Sequence, residues 1–336
     1  MIGLQATFFQ QLLNIPQRQR ISKIPADRTD NERRFCLPPL EDRRSRSHFT
    51  ILSRCQPGAN GSCNTTLHVT RPRGPTSTPF GYSRGVNACL LSGKIALVTG
   101  AAAGIGESIA HLFAEHGASV YALDIDLAGV DRVARAIQSE GGSAWAQEAD
   151  VRRTDMLQSV IEDVIRRSGR IDILVNNAGI YPRRAFLDVT DQEWDEIQDI
   201  NLKGVYRCMK LVLPYMVAKR SGKVINISSV TFLKGLANLS HYIASKGGVI
   251  GLTRAVAREM GPHDIHINCI MPGAIEVERE KEVATPEQMA AIVAQQSLER
   301  RLVPIDIARV CVFLASELSD GMTGQTVNVD GGLMMY

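Results

Sequence analysis

The chain has 336 residues, 44% of them hydrophobic, and a formal net charge of +3, enough for one large domain or two small ones. No apolar run approaches the ~18 residues of a membrane span, and the seven cysteines are scattered without C-x-x-C or Cys/His spacing, so free thiols are expected and no metal site. Residues 1–85 carry thirteen Lys and Arg against five Asp and Glu, which leaves 86–336 with 25 against 30; the basic excess is local, and neither a nucleic-acid nor a membrane partner is expected.

Residues 1–85 are rich in Pro, Arg, Ser and Thr and show no sustained apolar period, so they are expected to be a disordered extension unable to offset chain entropy. Two other readings stand beside this. The first 26 residues lack acids and carry Arg18, Arg20 and Lys23, as an organelle-targeting peptide does. The third reading, which we favour, is a start assigned too far upstream, with Val86 as an alternative initiation point and a cytoplasmic protein as the result. The catalytic domain is then 86–336.

From Lys94 the pattern changes. "KIALVT" is a strand run, followed by glycines and the helical pattern "GESIAHLFAEHG". "SVYALDI", "SAWAQEA", "IDILVNN", "KVINIS", "IHINCIM" and "QTVNVDG" are further strand candidates, separated by helical patterns such as "TDMLQSVIEDVIRRSG" and "VYRCMKLVLPYMVAKRSG". Strands alternating with helices predict one doubly wound α/β domain, with a mainly parallel seven-stranded sheet covered on both faces.

"TGAAAGIG", Thr99 to Gly106, follows the first of these strands and opens the first helix. Gly100 permits a tight turn, while Gly104 and Gly106, flanking Ile105, permit close backbone approach. The helix N-terminus then offers free N–H groups to a pyrophosphate. Asp124 ends the second strand, where a carboxylate accepts hydrogen bonds from ribose hydroxyls and repels a 2′-phosphate. No Arg or Lys stands in the glycine turn or beside Asp124 in sequence, so NAD is expected in preference to NADP.

Tyr242 precedes Lys246 by four residues, a spacing that puts both on one helix face. A phenol loses its proton near pH ~10, and a neighbouring ammonium is expected to lower that value and make a proton donor and acceptor.

Taken together, T-G-x-x-x-G-x-G, "NNAG" (176–179), "NISS" (226–229), "YIASK" (242–246), "PG" (272–273) and "VDGG" (329–332) resemble the short-chain dehydrogenase/reductase family in order and spacing over about residues 90–336. The resemblance implies a Rossmann-type fold and a catalytic set of Asn201, Ser229, Tyr242 and Lys246. Ser229 would hold the substrate oxygen, with Ser228 one residue out of register. Tyr242 would exchange the alcohol proton. Lys246 would bond the nicotinamide ribose, and Asn201 would support a water-linked proton path. The implied cofactor contacts are Asp150 and Val151 near the adenine, Asn177, Ala178 and Gly179 along the turn, and Pro272, Gly273 and Ile275 near the nicotinamide. One position departs from the family pattern: Val277 stands where a threonine often contacts the nicotinamide amide.

Tyr181, Phe232 and Leu236 are the substrate candidates, within the stretches Tyr181–Arg184, Val230–Leu236 and Ile275–Arg301. Their apolar character, with Leu233, suggests an apolar or cyclic secondary alcohol; packing beneath the loop is the alternative. Arg183 and Arg184 are expected to be a solvated pair, His241 to point to another helix face, and "EVEREKE" to be the solvated face of a mobile lid. The chain looks similar to NAD-dependent members acting on aryl or cyclic alcohols. The competing reading is a 3-oxoacyl-carrier-protein reductase, and a more distant one is a non-catalytic dinucleotide-binding regulator. The family also implies a homotetramer, or at least a homodimer, packed through the long helices after Asn201 and Tyr242.

Overall fold

The structure, a computed structural model, describes residues 50–57, 63–70, 89–278 and 285–335. The chain divides into two units, Met1–Arg84 and Gly85–Tyr336. In the first, β1 (Thr50–Pro57) and β2 (Cys63–Thr70) pair antiparallel, Thr50 opposite Thr70. The Thr- and Val-containing run of β2 carries β-branched residues suited to a strand, without the longer period that would have announced it. The rest of the 1–85 expectation, including the targeting segment at 1–26, lies outside the described residues.

The second unit contains the seven expected strands: β3 (Ile95–Thr99), β4 (Ser119–Asp124), β5 (Ser143–Glu148), β6 (Ile173–Asn176), β7 (Gly222–Ile227), β8 (Ile265–Pro272) and β9 (Thr326–Val329). They form one sheet in the order β5-β4-β3-β6-β7-β8-β9, and every pair is parallel. Alternation along each strand divides the core in two. Ala96 and Val98 of β3 face one cluster with Ile109, Phe113, Val130 and Ile307. Ile95 and Leu97 face the other with Leu157, Val164, Val212 and Val249. Helices α1 (Gly104–Glu115), α2 (Leu127–Ser139) and α9 (Pro304–Ala315) supply the first layer. Helices α3 (Thr154–Ser168), α5 (Gly204–Lys219) and α7 (Ser240–Met260) supply the second.

Between α3 and α5 the short α4 (Asp191–Gln198) runs into a π-helical turn, Asp199–Lys203. Helix α6 (Thr231–Lys234) follows β7, and α8 (Pro286–Val293) precedes α9. The chain leaves β3 toward β4 on one side and returns to β6 on the other. This reversal opens a crevice at the carboxyl ends of the strands, where such sheets bind ligands. Among the described residues no helix is long and apolar enough to cross a membrane.

Candidate active site

The glycine turn is built to a tight tolerance. A Cβ on Gly106 would stand 2.0 Å from the Gly100 carbonyl oxygen, and one on Gly100, whose φ is +67°, would stand 2.8 Å from Ala178 Cα. Only glycine fits at either position. Thr99 and Asn177 stitch this turn to the next one. The Thr99 hydroxyl accepts from the Asn177 and Ala178 N–H groups at 3.0 and 3.2 Å, and Asn177 Nδ2 donates to the Thr99 and Gly100 carbonyls at 3.1 and 3.0 Å. The N-cap of helix α1, Ala103, has no side-chain hydrogen bond to offer, so the helix's first-turn N–H groups have no capping side chain. That suits an anionic pyrophosphate. Ile105 is partly buried against the core behind the turn.

Asp124, expected at the adenosine end, stands at the end of β4. Its Oδ2 accepts from Ala102 N at 3.1 Å and its Oδ1 from Asp126 N at 3.1 Å, which anchors the carboxylate against the glycine turn. Asp150 is less free than the sequence suggests. Arg152 grips both its oxygens at 2.7–3.0 Å, and that guanidinium holds the carboxyl below its usual range. Val151 packs against Gly204, where a Cβ would approach it to 3.0 Å.

Tyr242 and Lys246 meet on α7, with the Lys246 Nζ 5.8 Å from the phenol ring centroid. The electrostatics differ from the sequence expectation. Burial pushes the Tyr242 phenol up to about 12, and a hydrogen bond with Ser229 pulls the other way. Burial brings the Lys246 ammonium down to about 8, and Nζ donates to the Ile227 carbonyl at 2.8 Å. Desolvation is the largest cause of both shifts, because burial disfavours each charged form. The two serines separate cleanly. Ser228 donates to the Lys246 carbonyl at 2.8 Å, whereas the Ser229 hydroxyl bonds the phenol and is steadied by Thr231, whose Oγ1 lies at 3.0 Å.

Asn201 is fully buried in the π turn, a local defect that often marks functional sites. Its Oδ1 accepts from Ile180 N at 2.9 Å, and its Nδ2 donates to Ile180 O at 2.8 Å and to Ser245 Oγ at 3.2 Å. Ser245 in turn donates to the Tyr242 carbonyl at 2.7 Å. Asn201 thus ties the turn after β6 to the helix that carries Tyr242. Gly179 lies between; a Cβ there would stand 3.1 Å from Asn201 Oδ1 and 3.4 Å from Lys246 Nζ.

The segment after β8 arrives as a third wall. The Pro272 carbonyl accepts from Val230 N at 3.0 Å, and Gly273 N donates to Val329 O at 2.9 Å. Ile275 spends its side chain on the core and pairs with Leu302, so it has only backbone to offer a cofactor. Val277 packs on the glycine turn, with Cγ1 3.2 Å from the position of a Cβ on Gly104. An apolar contact stands where the family pattern has a hydroxyl. Residues 279–284, most of the expected lid, lie outside the described residues.

Among the substrate candidates, Tyr181 packs edge-on against Tyr242, centroids 6.2 Å apart at 64°. Phe232 is exposed and lies over Gly247, Leu233 packs into the core rather than the site, and Leu236 is half-buried. Arg183 and Arg184 are both exposed, as expected, and Arg184 Nη2 pairs with Glu193 at 2.7 Å on the surface. His241 is buried with neither ring nitrogen hydrogen-bonded, and burial lowers its pKa. Sequence reasoning missed Ser245, Thr231 and the second role of Thr99. Ser245 was findable, standing three residues after Tyr242 on the same helix face.

This crevice, with a glycine turn at one end and a Ser–Tyr–Lys cluster beside it, suits a nicotinamide dinucleotide-dependent oxidoreductase acting on CH–OH groups. The family model described as Enoyl-(Acyl carrier protein) reductase matches residues 100–334, and the chain belongs to the short-chain dehydrogenase/reductase family. It is 37% identical over 245 residues to 3-oxoacyl-(acyl-carrier-protein) reductase FabG of Thermotoga maritima, covering 73% of this chain and 99% of that one. It is 38% identical over 242 residues to D-xylose 1-dehydrogenase of Caulobacter vibrioides, covering 72% and 96%. A solved structure described as a short-chain alcohol dehydrogenase of Sinorhizobium meliloti 1021 superposes with a TM-score of 0.70 at 35% identity, covering 73% of this chain and 98% of that one.

Proposed function

We propose that the protein interconverts a secondary alcohol and a ketone with NAD(H), using Tyr242 as the general acid and base. The observation that carries this reading is the convergence of Ser229, Tyr242 and Lys246 at the carboxyl end of β7. The nicotinamide, when bound, supplies or accepts the hydride. The chain's own residues do the rest. Ser229 donates a hydrogen bond to the substrate oxygen, and Tyr242 takes the alcohol proton during oxidation or returns it during reduction. Lys246 provides the cation that stabilises phenolate as it forms. Asn201 acts on this set through Ser245 by holding α7 in register with the turn after β6.

The choice of NAD over NADP rests on Asp124, whose carboxylate is fixed beside Ala102 and faces the adenosine end. Tyr181, edge-on to the phenol, supports an apolar or cyclic substrate. A second reading, reduction of a 3-oxoacyl thioester, is favoured by the relatives that bear that name. Initial rates for a panel of secondary alcohols and 3-oxoacyl thioesters, each with both cofactors, decide between them. The proposal predicts higher kcat/KM with NAD(H) and with cyclic alcohols; a preference for NADPH and a thioester overturns it in favour of the second reading. Association into a homodimer or homotetramer is part of the same reading. Its support is a mainly apolar groove between the π turn, α5 and α7, whose lining includes Leu202, Tyr206, Leu252 and Ala255 with the charged Lys203 among them.

A further inference from the structure

A second pair of charges stands at the adenosine end of the crevice, and the sequence gives no local sign of it. Arg132 on α2 meets Glu107 in the first turn of α1, from 25 positions away in sequence. The contact is fork to fork: Nη1 to Oε1 at 2.6 Å and Nη2 to Oε2 at 3.1 Å. The same Nη2 donates to the Ala102 carbonyl at 2.8 Å. Ala102 N donates to Asp124 at 3.1 Å. One residue of the glycine turn is therefore held by a carboxylate at its N–H and by a guanidinium at its C=O. The fold does bring a cation to the side of the turn that Asp124 guards, contrary to the expectation from sequence.

We infer that Glu107 is a cofactor-specificity residue, which occupies the Arg132 fork and so withholds it from the 2′-phosphate of NADP(H). A guanidinium has five N–H donors in a fixed fork that suits either a carboxylate or a phosphate, but its Nη1–Nη2 edge takes one bidentate oxyanion at a time. Glu107 is the partner already in place, and its negative charge adds to that of Asp124. Both side chains are accessible enough for a ligand to compete: Arg132 is 57% exposed and Glu107 27%. This inference rests on the NAD(H) reading above and adds a second gate to the one at Asp124.

The test uses the full chain as wild type, Glu107→Gln and Glu107→Gln with Arg132→Met. Dissociation constants for NADH and NADPH are read from nicotinamide fluorescence, and those for adenosine 5′-monophosphate and adenosine 2′-monophosphate from calorimetry. Glu107→Gln keeps the side-chain size and removes the charge. Its affinity for NADPH and for the 2′-phosphate should rise about tenfold, the scale of one charge-assisted hydrogen bond, while NADH changes less than about twofold. Adding Arg132→Met should cancel the gain. An unchanged NADPH-to-NADH ratio in Glu107→Gln, or a gain that survives loss of Arg132, overturns the inference. The wild-type ratio tests the NAD(H) reading separately: a wild type that prefers NADPH refutes that reading, while the shift between wild type and variant still decides the role of Glu107.

Discussion

Tyr242 sits where burial holds its phenol protonated, so its usefulness as a base depends on the charges that assemble around it during turnover. Tyr242→Phe removes one oxygen and keeps the ring. General acid–base catalysis is worth ~10²–10⁴-fold, so kcat should fall by at least that range while NADH titration shows binding retained. A variant with near-normal turnover would remove Tyr242 from the mechanism. Lys246 makes a different prediction, in stability. Its ammonium is brought from 10.5 down to about 8 by burial. Between those values the unfolded chain holds a proton that the folded chain has released, so this group's contribution to stability rises with pH across the window and stands as a constant penalty below it. Lys246→Met lacks that term. The variant's melting temperature relative to wild type should therefore be highest below pH ~8 and decline toward pH ~10. A difference that is flat with pH would mean that the lysine is not desolvated in the folded chain.

At the scale of elements, the π turn at Asp199–Lys203 is the joint on which the site hangs. It turns Asn201 inward so that one amide satisfies both backbone groups of Ile180 and reaches Ser245. Asn201→Leu keeps the bulk and strands those groups. Each unsatisfied buried partner costs about 1–3 kcal/mol, and a domain of this size loses about 2–4 °C per kcal/mol. Melting should fall by that order. Because the turn after β6 is released from α7, kcat should fall more than the affinity for NADH. An equal loss in both would make Asn201 a purely structural residue. The seven strands and the glycine turn were legible because their signals are local: short β-branched runs, a turn that only glycine fits, and a tyrosine and lysine one helical turn apart. The π turn left no such trace, since "DINLKG" reads as ordinary helix. Arg132 was invisible for a different reason, because its partner lies on another helix. The raised phenol pKa was misjudged because spacing reports that two groups are near each other, not how dry their surroundings are.

At the scale of the whole molecule, the question is how much of the chain the enzyme needs. The two core clusters run from Leu91 to Ala315 and cover both faces of the seven-stranded sheet. Every residue placed in the site falls between Thr99 and Val329, and the first strand that carries one begins at Ile95. The unit Gly85–Tyr336 is thus supplied with its own sheet, both helical layers and the whole crevice. The hairpin of β1 and β2 belongs to the other unit and pairs its own backbone groups strand to strand. A chain beginning at Val86 is therefore expected to fold, to melt within a few degrees of the full chain and to keep its turnover. The basic charge of residues 1–85 would then serve association or address rather than catalysis. Melting temperature, kcat and mass by light scattering, measured on both lengths, form the check. Equal values of all three place stability, chemistry and association in 86–336. A large drop in melting temperature or turnover in the short chain would show that residues 1–85 contribute to the core or the site. A change in mass alone would place the first unit at the contact between copies of the chain.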